Sequence, residues 1–113
     1  MKSKILALSK NEEFKILLKK KKLSNTYVTF FFGLLANKNN KKLNISFVAK
    51  KKIGNAVKRN KIKRQLRNII NEAVKKTLIK FNYSYLVIAK PTMLNSEYTN
   101  IKETLFQSFK QIK

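Results

Sequence analysis

Only three of the chain's 27 basic residues are Arg, and Arg59, Arg64 and Arg67 all fall within the stretch GNAVKRNKIKRQLRN, residues 54–68. Lys supplies the positive charge everywhere else. The two side chains do different chemistry. The planar guanidinium binds phosphate through two parallel hydrogen bonds and stacks on bases, whereas Lys is a flexible point charge. Read as a helix at roughly 100° per residue, the stretch has an apolar stripe at one angle. With Arg59 at zero, Asn60, Lys63, Arg64 and Arg67 fall beside that stripe, between roughly 40° and 140°. Lys51 and Lys52 precede the helix start, where free N–H groups and the positive dipole end add to the pull on an anion. The chemistry on offer is recognition of a phosphate backbone by geometry.

Covalent chemistry is poorly supplied. The chain has no His, no Cys and no Asp, and its five acids are Glu12, Glu13, Glu72, Glu97 and Glu103. General acid–base catalysis and divalent-metal binding draw on the missing types. No catalytic residue and no metal ligand is expected on this chain. Glu12 and Glu13 sit where a helix begins, a place that favours carboxylates for dipole reasons.

The bulk numbers point to a polyanionic partner. A net charge of +22 on 113 residues is self-repelling unless nucleic acid or an anionic surface shares the space. Thirteen Asn and abundant Ile accompany the Lys, a mix typical of AT-rich coding, which favours Lys over Arg and so leaves the Arg cluster unexplained. At 43% hydrophobic residues the chain has enough apolar material for one folded domain, expected to span 1–113 as a single RNA-binding unit. The start has no signal-peptide h-region, and the longest apolar stretch, 27–36, is half a membrane span. A soluble, cytoplasmic protein with no membrane partner is expected.

The elements that must hold the Arg edge follow from periodicity. SKNE at 9–12 has the form of a capping box, and Phe14, Leu17 and Leu18 give a helix over 10–20, with KKKK at 19–22 as its cationic C-terminus. Residues 26–36 read as a strand, 37–42 as a loop, and 43–49 as a strand whose Asn44, Ser46 and Val48 form a more polar face. A very short strand at 23–25 is a further option. Asn55 caps a long helix over 56–79, with Ile62, Leu66, Ile69, Ile70 and Ala73 as its buried stripe. Residues 83–89 are a strand stopped by Lys90 and Pro91, and Asn95 or Ser96 caps a last helix with Tyr98, Ile101, Leu105, Phe109 and Ile112 on one face. The order is α+β: one small sheet with helices packed on it.

Blander readings compete. Most charge runs are solvated helix faces, but the concentration of Arg and the near absence of acids argue for a site here. Most of the aromatics must fill the core. In a strand, however, Phe31 faces opposite to Phe30 and Phe32, so one face could offer a stacking platform for unpaired bases.

KKIGNAVKRNKIKRQLRN, 51–68, resembles the signature of the protein subunit of bacterial ribonuclease P, a K-K-x-G-x-A-V-x-R-N-x-x-K-R-x-x-R run. Lys51, Lys52, Gly54, Ala56, Val57, Arg59, Asn60, Lys63, Arg64 and Arg67 match it. Leu8, Lys10 and Phe14 fit an upstream L-x-K-x-x-x-F pattern, and YLVIAKP at 85–91 resembles the late strand. The resemblance implies an α-β-β-β-α-β-α sandwich with a left-handed β-α-β crossover, where sequence rules alone expect the right-handed form. It implies that Lys51, Lys52, Arg59, Asn60, Lys63, Arg64 and Arg67 bind the catalytic RNA subunit. It also implies that a cleft with Phe14, Leu18 and Phe31 holds the single-stranded 5′ leader of precursor tRNA. Leu18 departs from the aromatic usual there. Lys50 stands where a small polar residue is common, and Asn68 where an acid often follows. The RNA would carry the active site and hold Mg²⁺, the protein binding none itself, and the protein alone would be a monomer. The family function is endonucleolytic removal of the tRNA 5′ leader.

Other readings of the same residues remain. A small ribosomal or ribosome-assembly protein would share the charge and fold class. A duplex-DNA reader would use the long helix in the major groove, although an Arg edge beside the core stripe suits a groove poorly. A self-sufficient nuclease lacks the residue inventory. A membrane-active basic protein would not distribute its apolar residues as a core.

Overall fold

A computed structural model describes residues 5–6, 11–34 and 43–112. The capping box at 9–12, Leu8 and Lys10, and the loop at 37–42 fall wholly or partly outside these residues. β3 (Val28–Gly33) and β5 (Ser84–Ala89) form the centre of the sheet as an antiparallel pair. Both are runs of β-branched, aromatic and aliphatic residues, suited to a pleated surface covered on two sides. β4 (Leu43–Val48) lies parallel to β5, and β2 (Lys21–Ser24) antiparallel to β3, giving the order β4-β5-β3-β2. A two-residue strand, β1 (Ile5–Leu6), pairs parallel with β4 at the outer edge.

The main core lies on one face of the sheet. Phe30, Ile45, Tyr85 and Val87 meet Ile62, Leu66, Ile69 and Ile70 of α2 (Ala56–Lys75), with Ile101, Leu105 and Phe109 of α3 (Tyr98–Gln111). Phe30 and Phe109 pack with ring centroids 5.2 Å apart. The Tyr85 hydroxyl, deep in this layer, donates to the Lys80 carbonyl at 2.8 Å. The short α1 (Asn11–Leu17) crosses the opposite face, where Leu17 and Leu86 are buried together.

Chain α2 joins the parallel neighbours β4 and β5, and the hand of that crossover is readable from the backbone. Lys90 N–H bonds to the Tyr27 carbonyl, so by alternation Leu86 also turns its peptide groups toward β3. The Leu86 side chain meanwhile faces α1. For an L residue this puts β3 on the right and β4 on the left of an upward β5, viewed from α1, with α2 behind. The crossover is therefore left-handed, as the family resemblance implied and against the usual preference.

Several boundaries differ from the sequence reading. The first helix ends at Leu17, and Lys21 and Lys22 of the KKKK run belong to β2. An edge strand has little apolar face to announce it, and Lys on such an edge discourages pairing with other chains. The polar face expected of β4 is partly covered, since Asn44 is 1% exposed beside β1. α2 stops at Lys75 rather than 79. Leu78 N–H bonds to the Ala73 carbonyl and Thr77 N–H to the Val74 carbonyl, the paired closure of a Schellman motif. Thr77 takes the left-handed position at φ 54°, a role usually given to Gly, and Ile79 folds back into the core. Neither Asn95 nor Ser96 caps α3. Both belong to or adjoin a 3₁₀ turn over Pro91–Asn95, where Ser96 Oγ donates back to the Thr92 carbonyl, and Glu97 occupies the cap position.

Candidate nucleic-acid interface

The local sequence explains how the Arg edge is held. Ile53 is buried and pins the 3₁₀ turn Lys51–Ile53 to the core, leaving Lys51 and Lys52 exposed. Gly54 N–H closes that turn on the Lys51 carbonyl at 3.2 Å. The Asn55 side chain then accepts the Lys58 N–H at 3.0 Å and starts α2. From there the buried stripe of Ile62, Leu66, Ile69 and Ile70 fixes the rotation of the helix. Asn60, Arg64 and Arg67 are exposed along one edge, and Arg59 and Lys63 are half-buried at its boundary with the core. The α2 members of the sequence-derived cluster thus follow one edge of the helix.

Its electrostatics are unbalanced. The first turn of α2 contains no acid, although it is the positive end of the helix dipole and carries Lys58 and Arg59. The only acid in α2, Glu72, pairs with Lys102 of α3 at 3.3 Å. Arg59 Nε is shielded from solvent and has no hydrogen-bond partner among the described residues. Such an arrangement weakens the isolated protein and suits a polyanion.

A second surface lies on the sheet face turned away from α2. Phe14 of α1 and Phe31 of β3 pack half-buried against Leu17, Leu86, Val48 and Ile88. The strand register puts Lys22 opposite Phe31, and its ammonium stands 5.9 Å from the ring centroid. Ser24 and Thr29 share a hydrogen bond of 3.2 Å on the same strands, and Lys90 Nζ donates to Ser24 Oγ at 2.7 Å. Leu18, one residue beyond α1, is 48% exposed. Lys22, Thr29 and Ile88 carry no binding signal in the linear sequence, and Val48 and Lys90 read there only as a strand residue and a strand stop. Lys22 was hidden by assigning the KKKK run to a helix end. The others share a face with Phe31 only through strand register, which a linear reading does not provide.

The donor set of the α2 edge, Arg, Lys and one Asn, does not suit a divalent cation. Among the described residues no group of three or more His, Cys, Asp or Glu lies together to hold one. Also among them, no helix is long and apolar enough to cross a membrane.

Comparison with known proteins places these surfaces in context. The family model described as Ribonuclease P matches residues 3–113. The chain is 34% identical over 104 residues to the ribonuclease P protein component of Bacillus cereus, covering 92% of this chain and 88% of that one. It is 33% identical over 110 residues to the ribonuclease P protein component of Carboxydothermus hydrogenoformans, covering 94% and 90%. In structure it is similar to the RNase P protein of Staphylococcus aureus, with a TM-score of 0.79 at 26% identity over 95% of this chain and 94% of that one. The RNase P protein of Thermotoga maritima has the same fold, with a TM-score of 0.80 at 24% identity, covering 96% and 98%.

Proposed function

The chain belongs to the ribonuclease P protein family, and on that premise we propose that the Arg edge of α2 seats the catalytic RNA while the α1 face of the sheet takes the 5′ leader of precursor tRNA. Family membership makes it the protein component of a ribonucleoprotein endoribonuclease, a subunit that assists the RNA in tRNA processing. The ribosomal alternative loses its support. The observation that carries the site assignment is that every Arg of the chain falls within the α2 segment braced by the buried stripe.

In this reading Lys51, Lys52, Arg59, Asn60, Lys63, Arg64 and Arg67 grip phosphates of the catalytic RNA. Arg supplies two-pronged contacts and Lys adds to the field. Phe31, with Phe14 and Leu18 beside it, receives unpaired leader bases, and Lys22 lies close enough to neutralise a leader phosphate. Holding RNA and leader together offsets their mutual repulsion, which lowers the demand for Mg²⁺. The Mg²⁺ ions belong to the RNA in this reading, because the protein's donor set is cationic. The protein enters the complex as a monomer and as one RNA-binding unit.

The test is cleavage of a precursor tRNA at low Mg²⁺ with the protein alone, a bacterial ribonuclease P RNA alone, and both. Cleavage at the mature 5′ end only in the mixture is expected. Failure of the protein to rescue the RNA, despite tight general RNA binding, overturns the reading.

A further inference from the structure

The end of the central strands carries a recess that neither proposed RNA surface uses. Lys19, Lys20 and Lys21, where the chain leaves α1 and enters β2, line it with Phe32 and Gly33 of β3, Leu34 and Tyr83. Its volume is about 500 Å³, within the range of small-molecule sites. Lys21 pairs with Phe32, so both turn to the face opposite Phe31 and its aromatic platform. No residue of α2 lines the recess, which also sets it apart from the Arg edge.

Packing builds its walls. Tyr83 is half-buried, and its ring stands 5.5 Å from Phe32 and 6.4 Å from Tyr85, edge-on to both. Phe32 and Tyr85 are buried, so they hold the Tyr83 ring where it borders the recess. Leu34 is 63% exposed at the rim. The turn after α1 is fixed by its backbone: Lys19 N–H bonds to the Ile16 carbonyl at 3.1 Å and Lys20 N–H to the Leu17 carbonyl at 3.0 Å. The Lys20 stem then lies across Gly33. A Cβ on Gly33 would come within 2.8 Å of Lys20 Cγ and 2.9 Å of its Cβ, closer than non-bonded carbons lie. Glycine is therefore what admits the Lys20 stem.

Two chemistries meet in this recess. The flat apolar surface of Tyr83 and Leu34 suits an aromatic base. The three successive Lys suit an anion, and no carboxylate lines the recess to offset them. A phosphodiester in a strand brings one negative charge per nucleotide. Three neighbouring ammonium groups match the polyphosphate tail of a free nucleotide better. Lys also fits a mobile tail, because flexible point charges follow it where a planar guanidinium would fix one phosphate.

We propose that this recess binds a free nucleoside triphosphate, with its base on Tyr83 and Leu34 and its phosphates among Lys19, Lys20 and Lys21. The site is independent of the assignments made for the catalytic RNA and the leader.

The test uses the only two glycines of the chain, Gly33 in the recess and Gly54 before α2. Isotopic labelling of glycine in the full chain gives one amide NMR signal for each region. ATP is the probe, titrated at ~0.15 M salt. The Gly33 signal is expected to saturate at an ATP concentration about tenfold below the one that moves Gly54. Inorganic triphosphate is expected to bind about tenfold more weakly than ATP, the loss of one base contact. Lys19→Ala with Lys21→Ala, both at exposed positions, is expected to weaken ATP binding about tenfold. The charge-matched pair Lys75→Ala with Lys110→Ala should change it less than about twofold. Leu34→Asp, which keeps every Lys and puts a negative charge at the exposed rim, is expected to weaken ATP binding as the recess pair does. Glycine signals that move together, or equal losses in the two Lys pairs, mean diffuse ion screening and overturn the proposal. Inorganic triphosphate that binds as tightly as ATP leaves the base no role and overturns it as well. A single-stranded oligonucleotide that moves Gly33 at a lower nucleotide concentration than ATP assigns the recess to an RNA strand and overturns the proposal as stated.

Discussion

At the scale of single residues, the exposed Arg and the half-buried aromatics should separate two binding functions. Arg64 and Arg67 are exposed on a helix that packs through other residues, so Ala there leaves the fold intact. The double Ala variant is expected to bind the catalytic RNA at least tenfold more weakly at moderate salt, with a salt slope lower by about 2. A fluorescence titration across salt concentrations checks this, and an unchanged slope removes the Arg edge from the interface. Phe31 belongs to the other surface. Phe31→Ala is expected to cost about 1–2 kcal/mol of affinity for a precursor with a long leader, within the range for a lost base stack. A precursor with a one-nucleotide leader should be unaffected. Because Phe31 also packs in the α1 cluster, Phe31→Leu serves as the control that keeps apolar contact and loses the stack. If both precursors weaken equally, Phe31 acts through the fold and not the leader.

At the scale of elements, α2 has to end abruptly so that Ile79 can turn into the core, and it does so without the glycine that usually permits it. Thr77 at φ 54° pays a steric cost that falls on β-branched residues in particular. Thr77→Gly keeps the two backbone bonds of the Schellman closure and relieves that cost. A gain of about 1 kcal/mol in unfolding free energy is expected by urea titration, with RNA affinity unchanged because the site lies at the far end of α2. A loss of stability would mean that the Thr77 hydroxyl, which donates to the Lys76 carbonyl at 2.7 Å, matters more than the backbone. The opposite end of α2 tells the complementary story. An acid in its first turn would steady the helix, and the chain places Lys58 and Arg59 there instead.

At the scale of the whole molecule, the sheet separates the two surfaces proposed to contact RNA. Helix α2 and its basic edge lie on one face and the aromatic platform on the other, so one small domain can touch a folded RNA and a single strand together. The core that keeps these faces apart has a pH limit set by Tyr85. Burial pushes its phenol well above the ordinary tyrosine range, and the hydrogen bond it donates to the Lys80 carbonyl exists only while the phenol is protonated. The folded state therefore holds that proton more tightly than the unfolded chain. Its contribution is fully present below the unfolded value of about 10 and is lost as pH rises beyond it, by up to about 1.4 kcal/mol per pH unit. Tyr85→Phe should flatten the alkaline side of a stability–pH profile, while costing about 1 kcal/mol at neutral pH by leaving the Lys80 carbonyl without its donor. An unchanged alkaline limb would show that Lys deprotonation governs it.

The sequence by itself determined the α+β class, the long capped helix with its buried stripe, and the cluster of Arg59, Asn60, Lys63, Arg64 and Arg67 on one edge. These are local properties: a 3.6-residue period places side chains without reference to the rest of the chain. Residue type did the rest, since only Arg brings a planar fork to phosphate. Tertiary structure alone decided what depends on partners distant in sequence. Strand register brought Lys22 over Phe31, and packing of α1 left that face half-open. β1 emerged through pairing with β4, because two residues carry no periodic signal. The early stop of α2 has no local signal, because a Thr, not a Gly, sits at the turning point. The recess beside Lys19, Lys20 and Lys21 exists only because the turn after α1 folds against Gly33 and Tyr83, a contact no local pattern encodes.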